Sequence, residues 1–297
     1  MSRRLSYRFD HCPLPDIAEV GGKAASLIRL FQAGYPVPEG FILTTSFFEP
    51  WLARLQMTAA WDEFLGADPS NLSSVCRRLQ RIIEDCRLSL DQQTILAEEL
   101  SHWQTDMSLA VRSSSPEEDL ERASFAGAYR TVLGVTASQV HTILPAIVSS
   151  SLAHRVVLYK QNRGIDPTRP RLAIIIQEQI PSEVSGVAFS CHPVTGDTTQ
   201  VVIESNWGLG TALVEGRVSP DHFVVDKATR RILDSQAPTG SLPLNHLQGL
   251  LTILLDIEHE WRRPIDMEWA MKDGNIFVLQ VRPITSPPEG TTPPSQG

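Results

Sequence analysis

The chain has 297 residues, of which 42% are hydrophobic, and it carries a formal net charge of -8. This length and apolar content allow two ordinary domains, each with its own core. The acidic balance, without a clustered stripe of Lys and Arg, argues against a nucleic-acid-binding protein, because binding to a duplex depends on clustered basic side chains.

The four cysteines form no CxxC pair, which argues against a zinc site and against a disulfide framework. No apolar run reaches the roughly 18 residues that a membrane span needs. These observations predict a protein of the reducing cytoplasm with no membrane partner.

A glycine pair opens a helical pattern near the N-terminus. Residues 20–31 read VGGKAASLIRLF, and Leu27, Leu30 and Phe31 recur at the spacing of one helical face. Lys23 would lie in the first helical turn, where a positive charge is unfavourable toward the helix dipole. This placement makes sense if an anion binds between the glycine amides and the ammonium group. An ordinary exposed lysine is the alternative, since the segment does not match the GxxxxGK[ST] phosphate loop.

Helices are predicted for much of the following sequence. Gly34 is expected to end the first helix, and a short strand is expected at residues 41–43. The clearest helix carries an apolar stripe formed by Leu72, Val75, Cys76, Leu79, Ile82, Ile83 and Cys86. Thr136 is predicted to cap a further helix. The apolar face of that helix consists of Val140, Ile143, Leu144, Ile147 and Val148.

Residues 110–131, AVRSSSPEEDLERASFAGAYRT, predict a phosphate site. A short apolar strand ends at Arg112 and is followed by three serines. The guanidinium of arginine is a planar fork of donors that suits phosphate. The serines and the small residues at 123–127 would let backbone N–H groups approach the same anion. The alternative is a strand, a solvated acidic turn at 117–119 and a loop.

A boundary is predicted at the proline-containing stretch 167–170, after which the pattern turns mostly to strands. We therefore expect one lobe over residues 1–168 and a second over residues 169–285. Strands are predicted at 172–180, 186–191, 201–206, 222–227 and 230–234. A last amphipathic helix carries Leu247, Leu250, Leu251, Leu254 and Leu255. Residues 286–297, rich in Pro, Gly, Ser and Thr, are expected to form a disordered tail or a linker.

The segment 265–282 predicts a β-hairpin, because apolar and polar residues alternate on both sides of a turn at 273–275. If the loop is three residues long, Lys272 pairs with Ile276. The second strand then places Ile276, Val278, Gln280 and Arg282 on one face. A two-residue loop would shift the register by one residue, so the prediction depends on the turn.

The three-residue loop would place Glu268 opposite Gln280, and Asp266 opposite Arg282. Two carboxylates, an amide oxygen and a guanidinium would then share one patch of sheet. Oxygen ligands suit Mg²⁺, which typically binds one or two carboxylates together with substrate phosphates. The alternative is a surface hairpin whose Asp266 and Arg282 form an exposed cross-strand pair.

Seven segments together resemble one known family. In chain order they are VGGKAASL, PVPEGFILTT, AVRSSSPEEDLERASFAGAYRTVL, IIIQEQI, SEVSGVAFSCHPVTGD, WGLGTALVEGRVSPD and IDMEWA with IFVLQVRPIT. They are similar to the motifs of the N-terminal nucleotide-binding region shared by phosphoenolpyruvate synthase, pyruvate phosphate dikinase and rifampin phosphotransferase. The resemblance covers about residues 20–285. It implies an α+β, two-lobed ATP-grasp fold that closes on Mg-ATP.

The resemblance also implies roles for residues of the first lobe. Lys23 and Arg112 would contact the phosphates and count among the catalytic residues. Gly127 and Thr131 would belong to the loop that covers the phosphates. The adenine pocket, at the hinge between the lobes, would be lined by Gln177, Gln179 and Ile180.

In the second lobe, the resemblance implies that Glu204 approaches the ribose or the metal. Glu268 and Gln280 would ligate Mg²⁺, and Arg282 would be the catalytic residue that stabilises the transferring phosphoryl group. Thr211 stands where the family often has Glu after its GLG motif, which puts an acidic role at that position in doubt.

The departures from the family pattern bound the expected function. The full-length enzymes have a swivelling domain with a phosphorylated histidine and a further domain for the second substrate. None of the eight histidines here lies in the Gly/Thr/Ser-His-Ala context of that carrier. We therefore expect an ATP-dependent phosphotransferase module whose phosphohistidine carrier is a separate domain or chain. The alternatives are a free-standing small-molecule kinase or ligase, and a non-catalytic nucleotide-binding interaction protein.

Overall fold

The computed structural model describes residues 4–117, 130–209 and 219–284. The chain divides into two compact units. Unit 1 comprises Met1–Gln32 and Glu39–Gln179, and unit 2 comprises Ala33–Pro38 and Ile180–Gly297. Gly127, Thr211 and the predicted tail at 286–297 lie outside the described residues, so the structure does not test the predictions made for them.

Unit 1 is built on an antiparallel sheet with the strand order β1-β2-β5-β3-β4. Its strands are β1 (Ser6–Arg8), β2 (Gly40–Leu43), β3 (Leu109–Ser114), β4 (Thr131–Val135) and β5 (Ala173–Glu178). Its described helices are α1 (Ile17–Val20), α2 (Gly22–Gln32), α3 (Glu49–Gln56), α4 (Ala59–Leu65), α5 (Leu72–Glu84), α6 (Leu90–Leu100), α7 (Val140–Ser150) and α8 (His154–Asn162).

The apolar stripes predicted from the sequence form the core on one face of this sheet. Leu72, Val75, Cys76, Leu79 and Ile83 of α5 are buried, as are Val140, Leu144, Ile147 and Val148 of α7. They pack in one cluster with Phe41, Val111 and Ile176, which lie on neighbouring strands. Thr136 precedes a short 3₁₀ turn rather than α7 itself, and its N–H donates to the side chain of Gln139.

The other face of the same sheet lies against α1 and α2. The buried side chains of these helices are not part of the α5 and α7 cluster, although α1 packs on β5 and α2 on β3. Side chains alternate between the two faces of a strand. Val111 belongs to the α5 and α7 face, so its neighbour Arg112 lies on the α1 and α2 face.

Unit 2 is built on a second antiparallel sheet with the order β11-β10-β6-β7-β8-β9. The strands are β6 (Val184–Phe189), β7 (Gln200–Trp207), β8 (Asp221–Asp226), β9 (Ile232–Gln236), β10 (Ile265–Lys272) and β11 (Asn275–Pro283). The helix α9 (Leu244–Trp261) packs against β10 and β11 and buries Leu247, Leu250, Leu251, Leu254 and Ile257.

The division between the units falls after Gln179, whereas the sequence analysis placed the lobe boundary after residue 168. The strand β5 explains the difference. It pairs with β2 and β3 and therefore completes the sheet of unit 1. A proline-containing stretch marks a break in local pattern, but strand pairing decides which sheet the next strand joins.

Among the described residues, no single helix is long and apolar enough to span a membrane. The pair Ala137–Ser150 and His154–Asn162, bent by 43°, meets the length and composition criteria only when its members are taken together. All four cysteines are free thiols, and Cys76, Cys86 and Cys191 are buried. Burial raises the pKa of the Cys76 thiol to about 11, which makes this thiol unreactive near neutral pH.

Candidate functional site

The hairpin of unit 2 contains the predicted residue pairs, but its loop is shorter than predicted. Its loop contains two residues, Asp273 and Gly274, because Lys272 pairs with Asn275. Both loop residues have positive φ, of 50° and 74°, as a type I′ turn requires. This loop alone would have broken the predicted alignment. A β-bulge at Leu279 restores it, so the predicted turn was wrong and the predicted pairs are present.

The bulge also corrects the predicted face of β11. Ile276 pairs with Met271 and Val278 with Trp269, on the side that packs against α9. The Ile276 Cδ1 atom lies 3.5 Å from the position that a Cβ on Gly249 of α9 would occupy. Gln280 and Arg282, beyond the bulge, lie on the opposite face. The four residues therefore do not share one face as expected.

A row of directly paired residues crosses the face of this sheet away from α9. Gln280 pairs with Glu268, Glu268 with Val187, Val187 with Glu204 and Glu204 with His222. Directly opposed residues of antiparallel strands lie on the same face, with Cβ atoms about 4.5–5.5 Å apart. We call Gln280, Glu268, Glu204 and His222, together with Val187 between the two glutamates, the polar row. The structure thus places the predicted residues Gln280, Glu268 and Glu204 on one face.

Asp266 and Arg282 form the next pair along the hairpin. The Arg282 Nε atom lies 3.3 and 3.0 Å from the two Asp266 carboxylate oxygens, and Nη2 lies 3.0 Å from Oδ2. The side chain of Asp266 is 20% exposed. Burial raises the pKa of Asp266, Arg282 opposes that rise, and the charge of Glu268 adds to it. The pair is therefore half-buried, not the exposed pair of the alternative interpretation.

His222 is a member of the polar row that the sequence analysis did not assign to the site. Its Nδ1 atom lies 3.6 Å from Glu204 Oε1, and both side chains are about one-third exposed. Glu204 and His222 are cross-strand partners on β7 and β8. The sequence offers no short-range signal for this contact, because strand alternation does not say which strands pair.

In unit 1, Arg112 and Thr131 are cross-strand partners on β3 and β4. Arg112 also pairs with Ile175 on β5. Gln177 lies two residues beyond Ile175 and therefore on the same face, where it is buried at 2% exposure. The structure thus brings three predicted residues, Arg112, Thr131 and Gln177, to the sheet face covered by α1 and α2.

Lys23 lies in the first turn of α2, which meets the end of β3. Ser114 is two residues after Arg112 and shares its face, and its Oγ accepts a hydrogen bond of 3.1 Å from Ala24 N–H. This hydrogen bond therefore links the first turn of α2, which carries Lys23, to β3, which carries Arg112. This contact places Lys23 and Arg112 on the same side of the unit 1 sheet.

The glycine pair has a different role from the predicted one. Gly21 has a φ of +77°, and a Cβ at this position would lie 2.3 Å from Ser114 Oγ. Its N–H donates to Ile17 O, and the N–H of Gly22 points to Ser115 O at 3.5 Å. Protein acceptors therefore occupy these glycine amides. Gly21 therefore allows the α1–α2 turn to approach β3 closely, and the expected anion contact of the glycine amides is not supported.

The hinge residues predicted to line the adenine pocket differ in their surroundings. The Oε1 atom of Gln179 accepts hydrogen bonds from Ser108 Oγ, at 3.1 Å, and from Gly134 N–H. The Gln179 amide oxygen therefore links the end of β5 to β4 and to the residue that precedes β3. Ile180 is 7% exposed, and its carbonyl accepts a hydrogen bond from Ser182 N–H.

Glu178, between Gln177 and Gln179, gives a pH-dependent prediction. Burial raises the pKa of Glu178 above its ordinary value of 4.5, and the nearby Glu39 carboxylate raises it further. As the pH falls, the folded protein takes up this proton before the unfolded chain does, so stability rises through the raised pKa. Glu178→Gln removes the disfavoured charge.

We expect Glu178→Gln without nucleotide to melt roughly 1–3 °C above wild type at pH 7. The two melting curves should converge as the pH approaches 4.5. Melting curves recorded from pH 7 to 4.5 test this expectation. A difference that is constant with pH would show that Glu178 does not titrate in this way.

Each unit brings together side chains with a distinct chemistry. Unit 1 has the cations Lys23 and Arg112 on one side of its sheet, and unit 2 has the carboxylate of Glu268 opposite the amide of Gln280. Among the described residues, no three His, Cys, Asp or Glu side chains lie close enough to form a metal site. A cation held by Glu268 and Gln280 would thus need further oxygen ligands from water and phosphate, as is usual for Mg²⁺.

Comparison with known families agrees with this geometry. The family described as pyruvate phosphate dikinase, AMP/ATP-binding domain, matches residues 17–242 and 234–296. The chain belongs to this family. The resemblance recognised from the sequence motifs is therefore confirmed, and the α+β architecture with two units, each on an antiparallel sheet, agrees with the predicted ATP-grasp class.

Curated relatives carry the name phosphoenolpyruvate synthase. The chain is 30% identical to the probable phosphoenolpyruvate synthase of Methanothermobacter thermautotrophicus, over 95% of this chain and 46% of that protein. It is 32% identical to the probable phosphoenolpyruvate synthase of Staphylothermus marinus, over 94% of this chain and 41% of that protein. The phosphoenolpyruvate synthase of Aeropyrum pernix is 30% identical, with 96% and 43% coverage. The chain thus spans less than half the length of these relatives.

Among solved structures, the D-alanine-D-alanine ligase from Helicobacter pylori is 10% identical, with a TM-score of 0.32. The similarity covers 71% of this chain and 53% of the ligase.

Proposed function

We propose that this AMP/ATP-binding domain is the Mg-ATP-dependent phosphotransferase module of a phosphoenolpyruvate synthase-like system, and that it phosphorylates a histidine on a separate domain or chain. The observation that carries the proposal is the hairpin of unit 2. It pairs Glu268 with Gln280 and Asp266 with Arg282, so oxygen groups that suit Mg²⁺ lie next to an arginine. The names of the curated relatives supply the reaction class.

In this proposal, unit 1 holds the nucleotide phosphates. Lys23 and Arg112 would contact them, because both lie on one side of the sheet and their elements α2 and β3 are joined by the Ala24–Ser114 hydrogen bond. Thr131, the cross-strand partner of Arg112, would support the same site, together with Gly127. Gln177, Gln179 and Ile180 are proposed to border the adenine. Gln177 is buried, and the amide oxygen of Gln179 already accepts a hydrogen bond from Ser108. Their contacts with the adenine would therefore come from backbone groups and from the remaining side-chain atoms.

Unit 2 is proposed to hold the metal and the transferring phosphoryl group. Glu268 and Gln280 would bind Mg²⁺, which supplies charge neutralisation for the phosphate oxygens. Glu204, held beside His222, would face the ribose or the metal. Arg282 would stabilise the transferring phosphoryl group, and Asp266 fixes the plane of its guanidinium. Phosphoryl transfer needs mainly such positioning and charge stabilisation from a protein.

The expected products follow from the proposed reaction. ATP, water and a histidine of the carrier would give AMP, inorganic phosphate and phosphohistidine. A free-standing small-molecule kinase would instead produce ADP, and a non-catalytic nucleotide-binding protein would produce neither. The proposed compartment is the reducing cytoplasm, where the free thiols of Cys12, Cys76, Cys86 and Cys191 would persist.

A thermal-shift titration with Mg-ATP, Mg-ADP and ATP plus chelator tests the proposal, with AMP and ADP separated from the same samples. Ligand at about 100 times its dissociation constant should stabilise the protein by about 2.7 kcal/mol. Stabilisation by Mg-ATP that the chelator abolishes is the expected result, with slow release of AMP as water takes the place of the carrier histidine as acceptor. ADP without AMP would favour the free-standing kinase. No stabilisation by any nucleotide would contradict the proposal.

A further inference from the structure

A buried ion pair joins helix α8 to residues 115–117, which follow β3 and are called the serine turn below. Lys160 of α8 places its Nζ atom 2.5 Å from Glu117 Oε2. The side chains of Lys160 and Glu117 are only 1% and 8% exposed. Glu117 belongs to the acidic stretch that one interpretation of the sequence placed in a solvated turn, and the structure shows that this residue is buried.

The ion pair is connected to the proposed phosphate site through the serines. Glu117 N–H donates to Ser115 Oγ at 3.2 Å, and the Ser115 hydroxyl reaches Arg171 O at 3.3 Å. Ser115 O lies 3.5 Å from Gly22 N, at the start of α2. The preceding residue, Ser114, accepts the Ala24 N–H bond described above. The serine turn is therefore held by α2 on one side and by Lys160 on the other.

Stability alone is a poor reason for such a pair. Lysine is almost never fully buried unless it is paired. Removing both charges from water costs several kcal/mol per ion, and apolar side chains of similar volume often stabilise a protein as well or better. The neighbouring buried residues of α8, Val156 and Val157, show that apolar side chains fit on this helix face. The charged pair fixes the position of Glu117, which an apolar contact would leave free to slide.

We propose that Lys160 is a positioning residue for the phosphate site. Through Glu117 it fixes the serine turn, and the turn fixes the separation between the α2 N-terminus, which bears Lys23, and the strand that bears Arg112. The inference rests on the proposed function, because it assigns Lys160 to the same nucleotide site. Lys160 itself does not touch the nucleotide in this proposal.

Titration calorimetry with Mg-ATP, at a temperature well below unfolding, tests the proposal. Lys160→Met and Glu117→Gln should each weaken Mg-ATP binding by about tenfold or more, by analogy with the loss of partners that orient metal ligands. Lys160→Arg keeps the charge and should restore most of the affinity. The double variant Lys160→Met with Glu117→Gln leaves no buried charge unpaired. It should be more stable than Lys160→Met and still bind Mg-ATP weakly.

Lys227→Met is the matched control. Lys227 forms a partly buried ion pair with Glu258 in unit 2, with an Nζ–Oε1 distance of 2.7 Å. Its loss should lower the melting temperature without changing Mg-ATP affinity. Wild-type affinity for Mg-ATP in the double variant would overturn the role of Lys160 but not the proposed nucleotide site. If Lys160→Met does not fold, wild-type affinity in Glu117→Gln would have the same meaning. Absence of Mg-ATP binding by the wild-type protein would overturn the proposed function and this inference together.

Discussion

Arg282→Ala is expected to reduce AMP formation from Mg-ATP by roughly 10³-fold or more, by analogy with other transition-state arginines. ATP affinity should stay within a fewfold of wild type, because the guanidinium is proposed to act mainly on the transferring phosphoryl group. Steady-state AMP formation and equilibrium ATP binding, measured on the same preparation, separate the two effects. An equal loss of affinity and turnover would assign Arg282 to ground-state binding.

The contact between Arg282 and Asp266 requires a control for this experiment. Removing the guanidinium leaves a half-buried carboxylate whose pKa burial already raises. Without the Arg282 guanidinium, Asp266 is therefore expected to take up a proton more readily. Asp266→Asn breaks the ion pair but keeps the arginine, so its loss of turnover should be smaller than that of Arg282→Ala. Equal losses would show that the pair works as a unit and that the arginine alone does not carry the effect.

Glu268→Ala is expected to weaken nucleotide binding only where binding depends on Mg²⁺. Loss of a charge-assisted ligand interaction of at least ~1.4 kcal/mol corresponds to a roughly tenfold or larger increase in the Mg²⁺ concentration needed for half-maximal ATP binding. ATP titrations at a series of Mg²⁺ concentrations measure this shift. Binding without Mg²⁺ should not weaken, because a nearby negative charge has been removed.

Glu183→Gln provides the control, at a residue that precedes β6 and contacts the same hairpin. Glu183 pairs with Lys272 at 2.8 Å near the loop end, and its side chain is 44% exposed. It has the same chemistry as Glu268 but lies outside the polar row. Its replacement should leave the Mg²⁺ dependence unchanged. If Glu268→Ala also left it unchanged at all Mg²⁺ concentrations, the metal would have to bind elsewhere.

Periodicity in the sequence was sufficient for the helices that form the core of unit 1. The stripes of α5 and α7 depend only on residues three and four apart, which a helix must place on one side. The strand at residues 41–43 was recognisable for a similar reason, since it is a short apolar run between turn residues. Such local patterns need no knowledge of what packs against them. The family resemblance was also readable, because it rests on long motifs in a fixed order.

The hairpin shows where local reasoning is incomplete. Asp273-Gly274 is a strong signal for a two-residue I′ turn. Alternation alone favours the three-residue turn, which is wrong, and only the bulge at Leu279 preserves the pairing of Glu268 with Gln280. A bulge depends on how both strands pack against α9 and β6. The alternation of apolar residues therefore located the hairpin but could not determine its register.

The sequence by itself determined the apolar stripes of α5 and α7, the approximate positions of β5 to β9 and of the last hairpin, and the family that the chain resembles. The tertiary structure alone decided that Glu204 and His222 share a row with Glu268, and that Glu117 is buried against Lys160. These contacts join residues far apart in the chain. Local periodicity reports which way a side chain faces along its own element, whereas strand pairing and helix packing decide what it meets there.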